Sequence, residues 1–249
     1  MDAKPLKVCI SIPNESYIPV EAYDNHLNIA SHIGKLQEIW KHEGKNPRYE
    51  FGWYTTGRLL TPYAREKLAE TALKENGDFI LMMDNDMLYP IDFIECMLLD
   101  MEQHPEIDVL APLAFMRNKP YFAVMYMTNE GYDPNTHQPY FISQFVKNYP
   151  KNKLVECDAV GFGAVLIRTS LLKKMKPPYF MSTAGSGEDI WFCHNAKKTA
   201  EARIFMDTRI KLTHLGTPIM IDEKFREKYM KDTKEDVSNE HNYNKYHKI

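Results

Sequence analysis

The chain reads as an α/β protein with a mostly parallel central sheet flanked by helices, and three observations carry that expectation. Phe79-Ile80-Leu81-Met82-Met83 is an unbroken apolar run, the pattern of a strand buried on both faces as in parallel sheets. Through the first half, strand-like runs alternate with helical ones in the order β-α-β-α-β-α-β, which calls for crossovers between parallel strands. The apolar run stops at Asp84-Asn85-Asp86, and open α/β sheets bind their ligands outside the carboxyl ends of the strands.

Each element has a local reason. Lys7 to Pro13 predicts a first strand, followed by a polar turn at Asn14-Glu15-Ser16. Leu27, Ala30, Ile33, Ile39 and Trp40 approximate a helical stripe over about 23 to 43. Tyr49 to Tyr54 forms a second strand ending at Thr55-Thr56-Gly57-Arg58. Thr61 is placed to cap the next helix, with Pro62 at its first position and Asn76-Gly77 as its stop. The Asp84-Asn85-Asp86 strand follows, then a helix over about 91 to 103 and a fourth strand over Ile107 to Leu113.

The second half changes character. Tyr121 to Met127 and Tyr140 to Val146 predict a hairpin around the turn-rich residues 129–135, a small antiparallel subregion on the acceptor side of a site. Gly161 to Ile167 predicts a buried strand, whose two glycines suit tight packing or, the favoured reading, room for a substrate. A short helix over 169–175 ends at Lys176-Pro177-Pro178. Ser186-Gly187-Glu188-Asp189 opens a helix to about 200, and Ser186 with Asp189 has the spacing of a capping box. Short strands at 204–206 and 210–212 lead to His214-Leu215-Gly216. The expected organisation is one domain over 1–222 and a polar C-terminal helix or tail over 223–249 that could close as a lid.

Composition narrows the function classes. A formal net charge of -3 makes no global case for nucleic acid or an anionic membrane. No apolar run approaches the roughly 20 residues of a membrane span, and Met1 to Pro5 lacks the apolar segment of a signal peptide. Cys9, Cys96, Cys157 and Cys193 are widely spaced within apolar or helical patterns, as expected of reduced core thiols in a cytoplasmic protein.

Paired hard oxygens at a strand end suit Mg²⁺ or Mn²⁺, and those ions suit a diphosphate. Asp84 and Asp86 would also suit turn or helix caps, and His214 a plain strand end. Four landmarks stand in order: Ala64-Arg65-Glu66-Lys67, Asp84-Asn85-Asp86, Gly187-Glu188-Asp189 and His214-Leu215-Gly216. Together they resemble GT-A-fold nucleotide-sugar glycosyltransferases, especially the large inverting family, over about residues 5 to 217. The resemblance implies a GT-A, Rossmann-like sheet and a nucleotide-sugar donor, taken as a UDP-sugar. It also implies a metal held by Asp84, Asp86 and His214, with Mn²⁺ favoured over Mg²⁺ by the imidazole. Asp189 is implied as catalytic base, with Glu188 as second choice. The donor would lie along Pro13, Asn14, Glu15, Arg58, Arg65, Asp84 and Asn85.

Two departures mark the nucleotide side. Tyr54-Thr55-Thr56-Gly57 carries no acid where many relatives have one, and Glu66 stands where Asn is usual. The acceptor stays open among a glycan, a protein, a lipid-linked sugar, a small molecule and a modified nucleic acid. Two other readings remain, a nucleotidyltransferase and a non-catalytic nucleotide- or carbohydrate-binding module. The first would normally show a glycine-rich, basic loop after its first strand, and Pro13-Asn14-Glu15-Ser16 is neither.

Overall fold

The computed structural model describes residues 4–14, 17–43, 47–132, 139–183, 186–216 and 220–233. Strand β1 (Leu6–Ile12) leads to α1 (Val20–His42), β2 (Tyr49–Thr55), α2 (Thr61–Lys74) and β3 (Phe79–Met83). Then come β4 (Met87–Leu88), α3 (Phe93–Gln103), β5 (Val109–Leu113), β6 (Met125–Tyr132) and β7 (Pro139–Phe145). Strands β8 (Leu154–Cys157), β9 (Ala159–Val160) and β10 (Ala164–Arg168) precede α4 (Thr169–Lys174) and α5 (Glu188–Ala200). The described chain closes with β11 (Ile204–Lys211), β12 (Thr213–Leu215), β13 (Met220–Ile221) and α6 (Glu223–Thr233).

The central seven-stranded sheet has the order β2-β1-β3-β10-β5-β11-β8. Strands β2, β1, β3, β5 and β11 run one way, and β10 and β8 run the other. The apolar run of β3 is buried on both faces, as its composition requires. Ile80 and Met82 join the core on one side, Phe79, Leu81 and Met83 the core on the other. Two three-stranded sheets, β13-β12-β4 and β7-β6-β9, stand beside the central one. No helix among the described residues is long and apolar enough to cross a membrane. The four cysteines are free, and only Cys96 is not fully buried.

Several expectations move. Strand β10 enters the sheet between β3 and β5 antiparallel to both, because the chain returns to it through the β6–β9 excursion rather than through a crossover helix. Tyr121 adopts a left-handed φ of 56°, which a strand cannot accommodate, so the hairpin begins at Met125 and runs on through Tyr132. The rest of the expected turn, 133–138, lies outside the described residues. Helix α1 starts directly after Pro19, three residues before its expected start. Leu60 rather than Thr61 is the N-cap of α2, and no side chain caps it. Strand β11 is continuous across the two short strands expected there, with a register shift between Asp207 and Lys211.

The glycines before β10 answer to packing rather than to a ligand. A Cβ on Gly161 would lie 2.7 Å from Val124 Cβ, while the Gly161 amide donates to the Val124 carbonyl at 2.8 Å. At Gly163 a Cβ would lie 3.1 Å from the Met87 methyl. The favoured expectation of sugar or acceptor space is therefore corrected. Val124 fills that space and the backbone bond prevents withdrawal.

Gly161→Ala is expected to cost about 1–3 kcal/mol through this overpacking, read as a lower denaturation midpoint. An unchanged midpoint would mean that Val124 can give way.

Candidate active site

The site stands where β3 ends. Arg65, on α2, is only 3% exposed and places its guanidinium between two other elements. Its Nη2 donates to Asp84 Oδ1 at 2.8 Å, and its Nε donates to Glu188 Oε1 at 3.1 Å. The guanidinium carbon lies 5.3 Å from the centre of the Phe162 ring. A buried cation needs such pairing, since an unpartnered one would cost several kcal/mol. Burial works to lower the Arg65 pKa, but Asp84 and Glu188 outweigh it and the group is raised.

The turn after β3 is pinned from below. Tyr89, 4% exposed, places its hydroxyl 2.8 Å from the Asp84 carbonyl and 2.7 Å from that of Gly163. Its backbone is held in turn by Asn25, which accepts from the Tyr89 amide at 2.9 Å and donates to its carbonyl at 3.0 Å. His26 stacks on the Tyr89 ring. This support had no signal of its own in the sequence, because Asn25 and Tyr89 meet only through the packing of α1 against β4.

Strand β4 pairs with β12 so that His214 faces Met87, and the Leu215 amide donates to the Asp86 carbonyl at 2.9 Å. That register brings His214 Nε2 to 3.3 Å from Asp86 Oδ2. Nδ1 of His214 lies 2.9 Å from the Phe115 carbonyl, which can only accept, so this nitrogen carries the proton. In the neutral ring the Nε2 lone pair therefore faces Asp86. Arg117 Nη1 donates to the same carboxylate oxygen at 3.0 Å. Burial works to raise the Asp86 carboxyl, but His214 and Arg117 outweigh it and hold it below its ordinary value. Burial likewise works to lower His214, and Asp86 outweighs that and raises it.

Asp84 is not gathered with this pair, because Arg65 takes its carboxylate. Among the described residues no three His, Cys, Asp or Glu side chains are placed to share one ion. Asp86 Oδ2 and the oriented His214 Nε2 do fit a divalent ion as a two-ligand set, hard oxygen beside imidazole, with the ring held by an outer hydrogen bond. Arg117 was not among the expected residues. It follows β5 in a loop, and its link to Asp86 spans the sheet rather than any motif spacing.

Glu188 and Asp189 open α5, and their environments differ. Gly187 is the N-cap and no side chain caps the helix, so the expected capping box does not form. Glu188 accepts from Arg65. Asp189 instead turns back over Gly187: its Oδ1 accepts from the Ile190 amide at 2.7 Å and lies 2.7 Å from where a Gly187 Cβ would stand. No basic side chain hydrogen-bonds to it among the described residues. Burial, and then the Glu188 charge, push the Asp189 carboxyl up to about 6.

Among the residues expected to meet a nucleotide, Asn14 and Asn85 come together: the Asn85 side-chain amide donates to Asn14 Oδ1 at 3.0 Å, and Asn14 N donates to Thr56 Oγ1 at 3.1 Å. Pro13 opens the same loop after β1, and Glu15 lies outside the described residues. Arg58 is exposed beyond β2, next to Leu59, whose amide donates to the Asn14 carbonyl at 3.4 Å. Glu66, which stands where Asn is usual, accepts from the amides of Tyr179 and Phe180 at 2.7 and 3.0 Å, and so anchors the loop before α5. Phe192 is fully buried and stacks on Phe180, a core residue.

The raised Asp189 sets a sign for pH. Its ordinary value is 3.8, so between that value and about 6 the folded chain keeps a proton that the unfolded chain releases. Stability from this group is lost as pH rises towards about 6, and the cost is complete above it. Asp189→Asn, in metal-free buffer, is therefore expected to raise the urea midpoint relative to the unsubstituted protein at about pH 8, and to raise it less at about pH 5. A gain that grows on acidification would overturn the assignment.

No protein-family model and no curated protein matches the chain. Among solved structures, A197 from STIV superposes with a TM-score of 0.52 at 16% identity, over 87% of this chain and 94% of that one. GalNAc-T7 with UDP, GalNAc and Mn²⁺ overlaps with a TM-score of 0.48 at 12% identity, over 86% of this chain and 44% of that one. The apo UDP-glucose pyrophosphorylase overlaps with a TM-score of 0.47 at 9% identity, over 92% and 98% of the two chains. The chain thus spans less than half the length of GalNAc-T7, and the last two TM-scores are too low to argue from. The likeness to A197 is one of fold, and the central sheet itself bears out the GT-A-like α/β class expected from the sequence.

Proposed function

We propose that the chain is a metal-dependent glycosyltransferase that moves a sugar from a nucleotide-diphosphate sugar to an acceptor hydroxyl with inversion. The division of labour among the acids supports this reading most. Arg65 engages Asp84 and Glu188, His214 and Arg117 engage Asp86, and no basic side chain among the described residues hydrogen-bonds to Asp189.

An acceptor hydroxyl is a poor nucleophile at neutral pH and needs a carboxylate to take its proton during attack. Asp189 Oδ2 accepts no hydrogen bond within the described chain and can do so, whereas Glu188, the other expected base, is committed to Arg65. Asp86 and His214 would hold Mn²⁺ or Mg²⁺, with Asp84 beside them on the site floor. Such an ion supplies neutralisation of the charge that develops on the leaving diphosphate. Arg117, more than half exposed, is placed to add charge-assisted contacts to that group. Arg65, buried and paired through Nη2 and Nε, would orient Asp84 and Glu188. Asn14 and Asn85 line the nucleotide side with Pro13, and a UDP-sugar is the proposed donor. Residues 1–222 would form the catalytic unit.

Melting temperature with UDP, GDP, CDP, ADP and dTDP, each with and without Mn²⁺, tests the reading without an acceptor. A Mn²⁺-dependent rise for UDP, lost in Asp86→Ala, is expected. Asp189→Asn should keep that rise and lose about 10²–10⁴-fold in donor turnover, the usual contribution of a general base. No rise with any nucleotide would set the proposal aside.

A further inference from the structure

A second surface stands outside this constellation, on the face of the central sheet that α2 and α4 cover and α1 does not. On α2, Tyr63, Lys67, Glu70 and Lys74 recur at helical spacing as one exposed stripe, about 16 Å long at 1.5 Å per residue. Helix α4 lies beside it and adds Lys173 and Lys174, and the chain just after α4 adds Lys176, all exposed. The side chains of these five lysines make no ion pair among the described residues. Glu70 is the acid within the stripe, and Glu75, at its far end, is paired with Lys7. In a chain whose formal net charge is -3, this concentration of positive charge is local.

Apolar side chains border the lysines. Leu60, the N-cap of α2, is 62% exposed, Tyr63 is 67% exposed and Met181 is 40% exposed. Glu66 accepts from the amides of Tyr179 and Phe180. That pair of bonds ties the segment from Lys176 through the exposed Pro177 and Pro178 to Met181 against the first half of α2. Charge and apolar surface thus stand together on a rigid wall. Such a wall suits a bilayer, where lysine stems carry ammonium groups to anionic headgroups and apolar tips enter the acyl boundary. A nucleic acid would use the same charges, but it gains affinity from flat rings on which bases stack. Leu60 and Met181 offer none, so the set favours the bilayer.

We propose that the α2–α4 face docks on an anionic lipid bilayer, with Lys67, Lys74, Lys173, Lys174 and Lys176 meeting the headgroups and Leu60, Tyr63 and Met181 entering the interface. The proposal does not depend on the chain transferring sugars. Tyr63 and Arg65 share one turn of α2, the first exposed and the second turned inward to Asp84 and Glu188. A bilayer docked here lies along the outer side of the helix whose inner side supports the candidate site.

Sedimentation of the full chain with vesicles in metal-free, low-salt buffer tests this. Phosphatidylcholine alone is compared with phosphatidylcholine carrying about one third phosphatidylglycerol. Partition onto the anionic vesicles only is expected, fading as salt is added. Lys173→Glu combined with Lys174→Glu should weaken it by more than about tenfold, since each basic residue near such a surface contributes about fivefold. Leu60→Ser combined with Met181→Ser should weaken it severalfold. Lys35→Glu combined with Lys41→Glu makes the same change of charge on α1, against the other face of the sheet, and should leave binding as it was. Equal partition onto both vesicle types, or onto neither, would overturn the proposal. So would a loss shared by the α1 pair, or binding indifferent to the Leu60 and Met181 changes. An RNA hairpin bound more tightly than the anionic vesicles, and lost with the Lys173 and Lys174 changes, would assign the face to nucleic acid instead.

Discussion

The buried guanidinium of Arg65 is the interaction on which the arrangement of this site depends. It lies in the interior between α2, the end of β3 and the start of α5, and an unpaired charge there would be strongly disfavoured. Asp84 and Glu188 are therefore drawn to it from segments far apart in the chain. That pairing anchors both carboxylates and, by occupying them, leaves their neighbours Asp86 and Asp189 to face other partners. The alternation along each motif thus separates a structural acid from an available one. Phe162, beneath the guanidinium, ties the same cation to the glycine turn before β10.

A second constraint comes from backbone pairing rather than charge. Strand β4 is only two residues long, yet its register with β12 sets His214 opposite Met87 and thereby beside Asp86. Tyr89 and Asn25 keep the turn from shifting, and the Phe115 carbonyl keeps the imidazole in one tautomer. A slip of one residue in β12 would turn His214 to the opposite face. The close packing of Gly161 on Val124 belongs to the same framework, since it lets β10 enter the sheet directly beneath the site.

Helix α6 extends this framework beyond β13. Phe225 and Tyr229 meet Tyr121 edge to face, which fixes the helix against the loop that also carries Arg117. Tyr121 can offer both contacts because its left-handed backbone ends the extended run and points the chain under α6. Arg226, Glu227, Met230 and Lys231 of the same helix line an open groove with Lys147 to Tyr149 and Lys151. These contacts give the helix a reason to sit where it does that its polar composition alone does not supply.

Much of the fold and part of the site were legible in the sequence. The apolar run of β3 could only be a doubly buried strand, and the helix stops and turn residues bounded the first βαβ units to within a few residues. Asp84, Asp86, Glu188, Asp189 and His214 were legible as chemical groups because each follows a strand or opens a helix. The direction of β10 was not, since an apolar strand reads the same way whether its neighbours run parallel or antiparallel. Nor were the partners of each acid. Glu66 stood out only as a departure from the usual Asn, and it holds the amides of Tyr179 and Phe180; Arg117, Tyr89 and Asn25 carried no signal and support the site. Local sequence determines which side chains are hard ligands, bases or donors and which backbone they stand on, because propensity and periodicity act over a few residues. Which acid is consumed by a buried arginine, which faces an imidazole and which stays available is settled only by long-range packing and strand register, and here those contacts reach across more than 120 residues of chain.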